Sequence, residues 1–125
     1  SFGIFSENER DTRFIKSNIK RYKNKKPLII HQNKLMDFFY IDDFISLVHY
    51  IIQNPKIKNI NAAYYNTCSL YEIAEIINNL DSHKCDIILE NKSEGKPYIS
   101  PYQEKINIPL IGLKEGIKKT YYATN

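Results

Sequence analysis

With 125 residues, 42% hydrophobic and 26% charged, the chain is sized for one domain that buries roughly two thirds of its unfolded surface, which excludes disordered and fibrous classes. No apolar run approaches the roughly 18 to 20 residues of a membrane helix, and the start lacks the basic-then-apolar layout of a secretory signal, so a soluble, cytoplasmic protein without a membrane partner is expected. The formal charge of +4 is uneven: residues 1–34 hold nine Lys or Arg against Glu7, Glu9 and Asp11, while the remainder hold nine against eleven acids, which suggests either a phosphate-bearing partner at that end or a solvated basic face.

The chain opens on SFGIF, an apolar run with no polar leader, so residues 2–5 are expected as a short buried strand of a protein that reads like a fragment. SENER is its polar exit. Asp11 or Thr12 can cap a helix over residues 11–26 in which Phe14, Ile15, Ile19 and Tyr22 recur at helical spacing, with Lys16, Lys20, Arg21 and Lys23 opposite. Pro27 ends that helix, PLIIHQ supplies a second strand and HQNK a turn. DFFYI is a third extended segment. Asp42 then stands where DFISLVHYIIQN begins a helix, the place at which a carboxylate accepts unpaired N–H groups and meets the positive end of the helix dipole. Phe44, Ile45, Leu47, Val48, Ile51 and Ile52 make this helix apolar on more than one face, and the expectation is burial between layers.

INAAYYNT is expected as a fourth strand. In SLYEIAEIINNL, Ser69 and Glu72 form an SxxE capping box ahead of the stripe Leu70, Ile73, Ile76, Ile77 and Leu80. CDIILE is a fifth strand, residues 91–109 with their three prolines are irregular, and GLKEGIKKTYY closes as a helix. Strands alternating with helices argue an α/β fold.

Most site chemistries fail at the level of residue spacing. His31, His49 and His83 are scattered and do not make a metal site; Cys68 and Cys85 lack a disulfide framework and are expected as separate thiols. The four glycines, at 3, 95, 112 and 116, build no phosphate loop. No GxSxG elbow or Cys and His pair is present, and adjacent Asp42 and Asp43 diverge, unlike the facing acids of a glycosidase. The run KSNIKRYKNKK, with Tyr22 among its cations, supports a second reading: a noncatalytic module that lays helix 11–26 on RNA or another anionic surface. Nucleic acid is the less favoured partner, because no recognised nucleic-acid module surrounds the run.

Order and residue type together carry a resemblance. FGIF, DTRFIKSNI, KKPLII, DFFYIDD leading into an apolar helix, YYNTCSLYEIAEII and IPLIGLKEGIKKTY succeed one another in a way that resembles the C-terminal part of extended short-chain dehydrogenase/reductases, the NAD(P)-dependent epimerases, dehydratases and reductases of nucleotide sugars. The resemblance spans nearly all of the chain but only about the last two fifths of such a protein. It implies an α/β fold in which residues 1–125 form a single substrate-binding C-terminal portion, with FGIF and INAAYYNT as neighbouring late strands of the Rossmann sheet. The NAD(P)-binding half would lie outside these residues.

The resemblance also implies a site. Arg13, with Thr12 beside it, would meet the diphosphate of a nucleotide sugar, for which a guanidinium near a helix start offers a suitable fork. Leu28, Ile30 and His31 of the PLIIH strand would border the base, although ordinary core is an equal reading for Leu28 and Ile30. The family's signature has an Arg where Met36 stands here, which leaves Arg13, Lys34 or Lys96 for the diphosphate. One of Asp42 and Asp43 would start the helix and the other meet a loop donor, with neither catalytic. The family's glycine loop and YxxxK pair are not found in a comparable helix. NAD or NADP is therefore expected in the parent enzyme and not on this chain alone, which should be inactive and carries no catalytic residue. Stripped of neighbouring strands, the chain should self-associate or dock with the missing half.

Overall fold

The computed structural model describes residues 3–57, 60–99 and 108–125. The FGIF run extends as β1 (Ile4–Phe5), with Phe2 outside the described residues, and a polar loop leads into α1 (Phe14–Lys23). This helix starts later than its sequence suggests. Arg13 occupies the N-cap in an extended conformation without a side-chain cap bond, because Asp11 instead accepts from Lys20 Nζ at 2.8 Å and Thr12 is exposed in the preceding turn. Lys25, at φ 55, reverses the chain beyond the helix, and Lys26 N–H donates to the Arg21 carbonyl at 2.9 Å, closing the last turn in the manner usually reserved for glycine.

Beyond Pro27 come β2 (Leu28–Gln32), β3 (Leu35–Met36) and β4 (Phe39–Tyr40), and α2 (Ile41–Gln53) follows without a break. Tyr40, not Asp42, is the N-cap of α2, and both acids sit in its first turn. Next, β5 (Cys68–Ser69) runs directly into α3 (Leu70–Asn78). Here the capping box forms as read: Glu72 N–H donates to Ser69 Oγ at 3.1 Å and Ser69 N–H to Glu72 Oε1 at 2.9 Å. Finally come β6 (Ile87–Asn91) and α4 (Leu113–Ala123).

Among the described residues three strand pairs result. β1 lies parallel to β4, with Ile4 opposite Phe39 and Phe5 opposite Tyr40. β2 lies parallel to β6 from Leu28 opposite Ile87 to Gln32 opposite Asn91. β3 is antiparallel to β5, and Met36 bridges to Tyr98. The expected strand at residues 60–67 does not form, and β1 has β4 as its neighbour instead. That segment bends, with Ala63 N–H bonded back to the Asn61 carbonyl at 2.9 Å, so that Tyr64 can turn its hydroxyl inward to the Asp43 carboxylate.

The aromatic triplet is divided by the two-residue period of an extended chain. Phe38 and Tyr40 join the main core with Phe5, Ile15, Ile19, Tyr22, Leu28, Ile30, Ile73, Ile77 and Ile117. Phe39 points the other way, into a second cluster with Leu47 and Ala62. Asn18, on α1 and 2% exposed, joins helix to sheet: its amide donates to the Ile29 carbonyl and its Oδ1 accepts from Ile29 N–H, which satisfies the side of β2 that faces α1. The helix expected to be buried between layers is covered on one side only. Of α2, Leu47 is buried while Ile45, Val48 and Ile52 are exposed.

Candidate functional site

The sequence-assigned residues fall into three places. Arg13 stands at the start of α1, half exposed, with its Nε 3.8 Å from Glu9 Oε2. The next residue, Phe14, stacks on Phe38 at 6.1 Å between ring centroids, which ties the start of α1 to the segment between β3 and β4. Thr12 is exposed beside Arg13.

Leu28 and Ile30 have no exposed surface. Their side chains lie in the main core with Ile15, Ile19, Ile73 and Ile77. His31 alternates outward on the same strand and is exposed, its Nδ1 3.5 Å from Glu90 Oε1 on β6.

Lys96 lies in a third place, exposed between Gly95 and Pro97, two of the residues that line a cleft of about 330 Å³ together with Asn33, Lys34, Leu35, Ser69 and Glu94. Local hydrogen bonds build this cleft. Gly95 N–H donates to the Asn33 carbonyl at 2.8 Å and Leu70 N–H to the Lys34 carbonyl at 3.0 Å, while Asn33 Oδ1 accepts from Tyr71 N–H at the start of α3. The turn after β2, the start of α3 and the loop at 94–98 therefore meet at one point. Met36 forms its bridge with Tyr98, and the cations nearest in sequence to these two residues are Lys34 and Lys96. Lys34 Nζ is 5.9 Å from the centre of the Tyr98 ring. Lysine offers a diphosphate a point charge where arginine would offer a fork. A slightly larger cleft of about 370 Å³ carries Glu72 and Glu75 against one Lys114, the wrong sign for an anion.

The basic run of α1 is largely consumed inside the molecule. Lys16 is buried and its ammonium donates to the Glu7 carbonyl; Lys20 pairs with Asp11; Arg21 Nε donates to the Pro27 carbonyl; Lys23 donates to the Thr124 carbonyl and lies over the Tyr121 ring. Four cations that the sequence offers to an anionic surface thus tie loops and the chain terminus to the helix, which argues against the nucleic-acid reading.

Two features escape the sequence. Asp43, 1% exposed, accepts from Ile111 N–H at 2.7 Å, from Gly112 N–H at 2.9 Å and from the Tyr64 hydroxyl; burial and this negative partner push the Tyr64 pKa strongly upward. It is the acid that meets a loop donor, as the doubled carboxylate suggests, but its donors lie far along the chain. The second is Glu9, whose burial no local pattern signals. One tyrosine and lysine pair does stand at YxxxK spacing, Tyr22 and Lys26. Tyr22 is fully buried with its hydroxyl donating to the His83 carbonyl and accepting from Asp81 N–H, and Lys26 lies beyond the end of α1, so the pair cannot act as an acid and base.

Among the described residues no group of three or more His, Cys, Asp or Glu is placed to hold a metal ion, and Cys68 and Cys85 are free thiols. No helix among them is long and apolar enough to cross a membrane.

Parallel strand pairs covered by amphipathic helices define a Rossmann-like α/β architecture. Residues 1–65 match the profile of the NAD dependent epimerase/dehydratase family, and the chain belongs to that family. No curated protein matches the sequence. Solved structures do. UDP-glucuronic acid 4-epimerase from Bacillus cereus, in complex with UDP-glucuronic acid and NAD, superposes with a TM-score of 0.65 at 19% identity over 96% of this chain and 42% of that one. An epimerase from Methanothermobacter thermautotrophicus gives 0.72 at 17% identity over 96% and 40%. GDP-mannoheptose C4 reductase from Campylobacter jejuni, with NADP bound, gives 0.64 at 15% over 97% and 50%. The chain therefore spans two fifths to one half of these proteins. Its four glycines, at 3, 95, 112 and 116, are too far apart in sequence to make the glycine-rich strand-to-helix turn of a dinucleotide site.

Proposed function

We propose that this chain is the substrate-holding portion of an NAD(P)-dependent enzyme that epimerises, dehydrates or reduces a nucleotide sugar in the cytoplasm, and that it grips the diphosphate. The observation that carries the reading is the conjunction of family membership with a cleft lined by Lys34, Gly95 and Pro97, an exposed Lys96 between the last two and a half-exposed Arg13 at the start of α1. Hydride transfer would belong to residues outside this chain, and its own groups would supply position and charge. Arg13 would present its fork to the two phosphates; Lys34 and Lys96 would stand in for the arginine replaced by Met36.

Binding of UDP-glucose tests this. Arg13→Ala should weaken binding by about tenfold or more, the weight of one charge-assisted contact, with the thermal midpoint unchanged. Lys34→Ala and Lys96→Ala should each weaken it less. Unchanged affinity in all three variants would remove the diphosphate from this surface. A shallow dependence of log affinity on log salt is expected for one diphosphate; a steep one would favour a polymeric phosphate partner.

A further inference from the structure

SENER reads as a surface loop, yet the Glu9 side chain within it is only 12% exposed. Oε2 faces Arg13 Nε at 3.8 Å, and Oε1 is buried without a hydrogen-bond partner among the described residues. A buried carboxylate oxygen lacking a donor disfavours the charged form of the group. Burial accordingly raises the Glu9 pKa from 4.5 to about 7, against the opposing pull of Arg13, Lys16 and the Ser6 backbone.

The groups facing Glu9 account for its balance. From α1 come the Arg13 guanidinium and the Lys16 ammonium, the latter 3.5 Å from the Glu9 carbonyl, bonded to the Glu7 carbonyl and 3.7 Å from Asp11 Oδ1. From its own loop comes the Ser6 backbone, whose hydrogen bond also favours the charged form. Glu9 thus has one full counter-charge that can leave it, Arg13.

We infer that Glu9 is the positioning residue of Arg13, and that a diphosphate reaching Arg13 is bound together with one proton taken up by Glu9. The inference rests on Arg13 as the diphosphate contact. As a carboxylate, Glu9 holds the guanidinium at the start of α1. When two phosphate charges arrive at the same guanidinium, Glu9 becomes a like charge a few ångströms away, and protonation removes the repulsion while giving the group an O–H donor.

UDP-glucose is a suitable probe, because both of its phosphates are esterified on either side and neither has the second ionisation near pH 6 of a phosphate monoester. Calorimetry at pH 8 in two buffers of different ionisation enthalpy should show close to one proton taken up per ligand. Affinity should rise by up to tenfold per pH unit as pH falls from 8 towards 7 and level off below. Glu9→Gln should abolish both the uptake and the pH dependence while still binding. In the ligand-free protein, the Arg13 Nε–H resonance should titrate with a midpoint near 7 and should be flat in Glu9→Gln. Binding of UDP-glucose with no proton uptake and a flat pH profile would overturn the coupling and leave the diphosphate site standing. If Arg13→Ala binds as well as the unmodified chain, Arg13 is not the diphosphate contact and the coupling falls; the free-protein Arg13 titration then decides the positioning role by itself, a pH-insensitive resonance overturning it.

Discussion

Asp43 is a carboxylate that has exchanged water for three donors. Two backbone N–H groups, of Ile111 and Gly112, and the Tyr64 hydroxyl converge on it, so one side chain fixes the first turn of α2 against the approach to α4 and against residues 60–67. Asp43→Ala takes the shared acceptor from all three donors and is expected to cost about 1 to 3 kcal/mol, the weight of one buried unsatisfied group, since Ile111 is exposed and Gly112 partly so. Tyr64→Phe leaves the carboxylate its two backbone bonds but also takes from the Tyr40 N–H its acceptor, so a loss of about 1 to 3 kcal/mol is expected from the shift in its denaturation midpoint. Glu9 works in the opposite sense. Its raised pKa means the folded chain binds a proton that the unfolded chain releases between pH 4.5 and about 7, so its contribution to stability is lost as pH rises through that window. Glu9→Gln should flatten this part of the stability profile; an unchanged slope in the variant would show that Glu9 is not the group responsible. Of the doubled acid in DFFYIDDF, the loop contact is legible in the sequence, but the expected cap does not form, since Tyr40 is the N-cap of α2. Which acid meets the loop is not legible, because the deciding donors lie 68 and 69 residues further on.

Elements follow the sequence where their determinants are local. The Ser69 and Glu72 box needs only a four-residue window, and α3 starts where it indicates; Ser69→Ala should lower stability by about 1 kcal/mol, read from the unfolding midpoint. β2 and β6 are apolar runs bounded by turn residues and form as read, in parallel. The segment 60–67 has strand composition, but its tyrosine is claimed by Asp43, and the contact outweighs β propensity. Asp11 fails as a cap of α1 for a related reason, since Lys20 competes for it from two turns along the helix. On α4 a glycine within the helix looks like a weakness by propensity. A Cβ at Gly116 would stand 2.7 Å from Tyr40 Cβ and Cγ, so the close packing of α4 on β4 requires it. Gly116→Ala should therefore destabilise by about 1 to 3 kcal/mol through overpacking, despite the roughly 1 kcal/mol that alanine gains in helix propensity. A more stable variant would mean that α4 can move away from Tyr40 at no cost.

At the scale of the molecule, the two apolar clusters are unequal. The larger is closed by α1, α3, α4 and the β2–β6 pair; the smaller lies between β4 and one side of α2, whose other side shows Ile45, Val48 and Ile52 to solvent, the last 71% exposed. These positions recur at i, i+3 and i+7, a stripe suited to covering by another layer. On the same side of the fold, β1 pairs with β4 alone among the described residues, although the related solved structures are more than twice as long as this chain or about twice as long. If a second copy of the chain covers this stripe, as the sequence reading expects, the chain by itself should show a weight-average mass that rises with concentration in sedimentation velocity. Ile45→Lys with Ile52→Lys should return it to a monomer with stability within about 0.5 kcal/mol of the parent, as for surface substitutions that remove no buried contact. If the unmodified chain stays monomeric at the same concentrations, the stripe is an ordinary exposed surface. If the double variant is monomeric but markedly less stable, Ile45 and Ile52 belong to the core of this chain and the outer side of α2 awaits no partner.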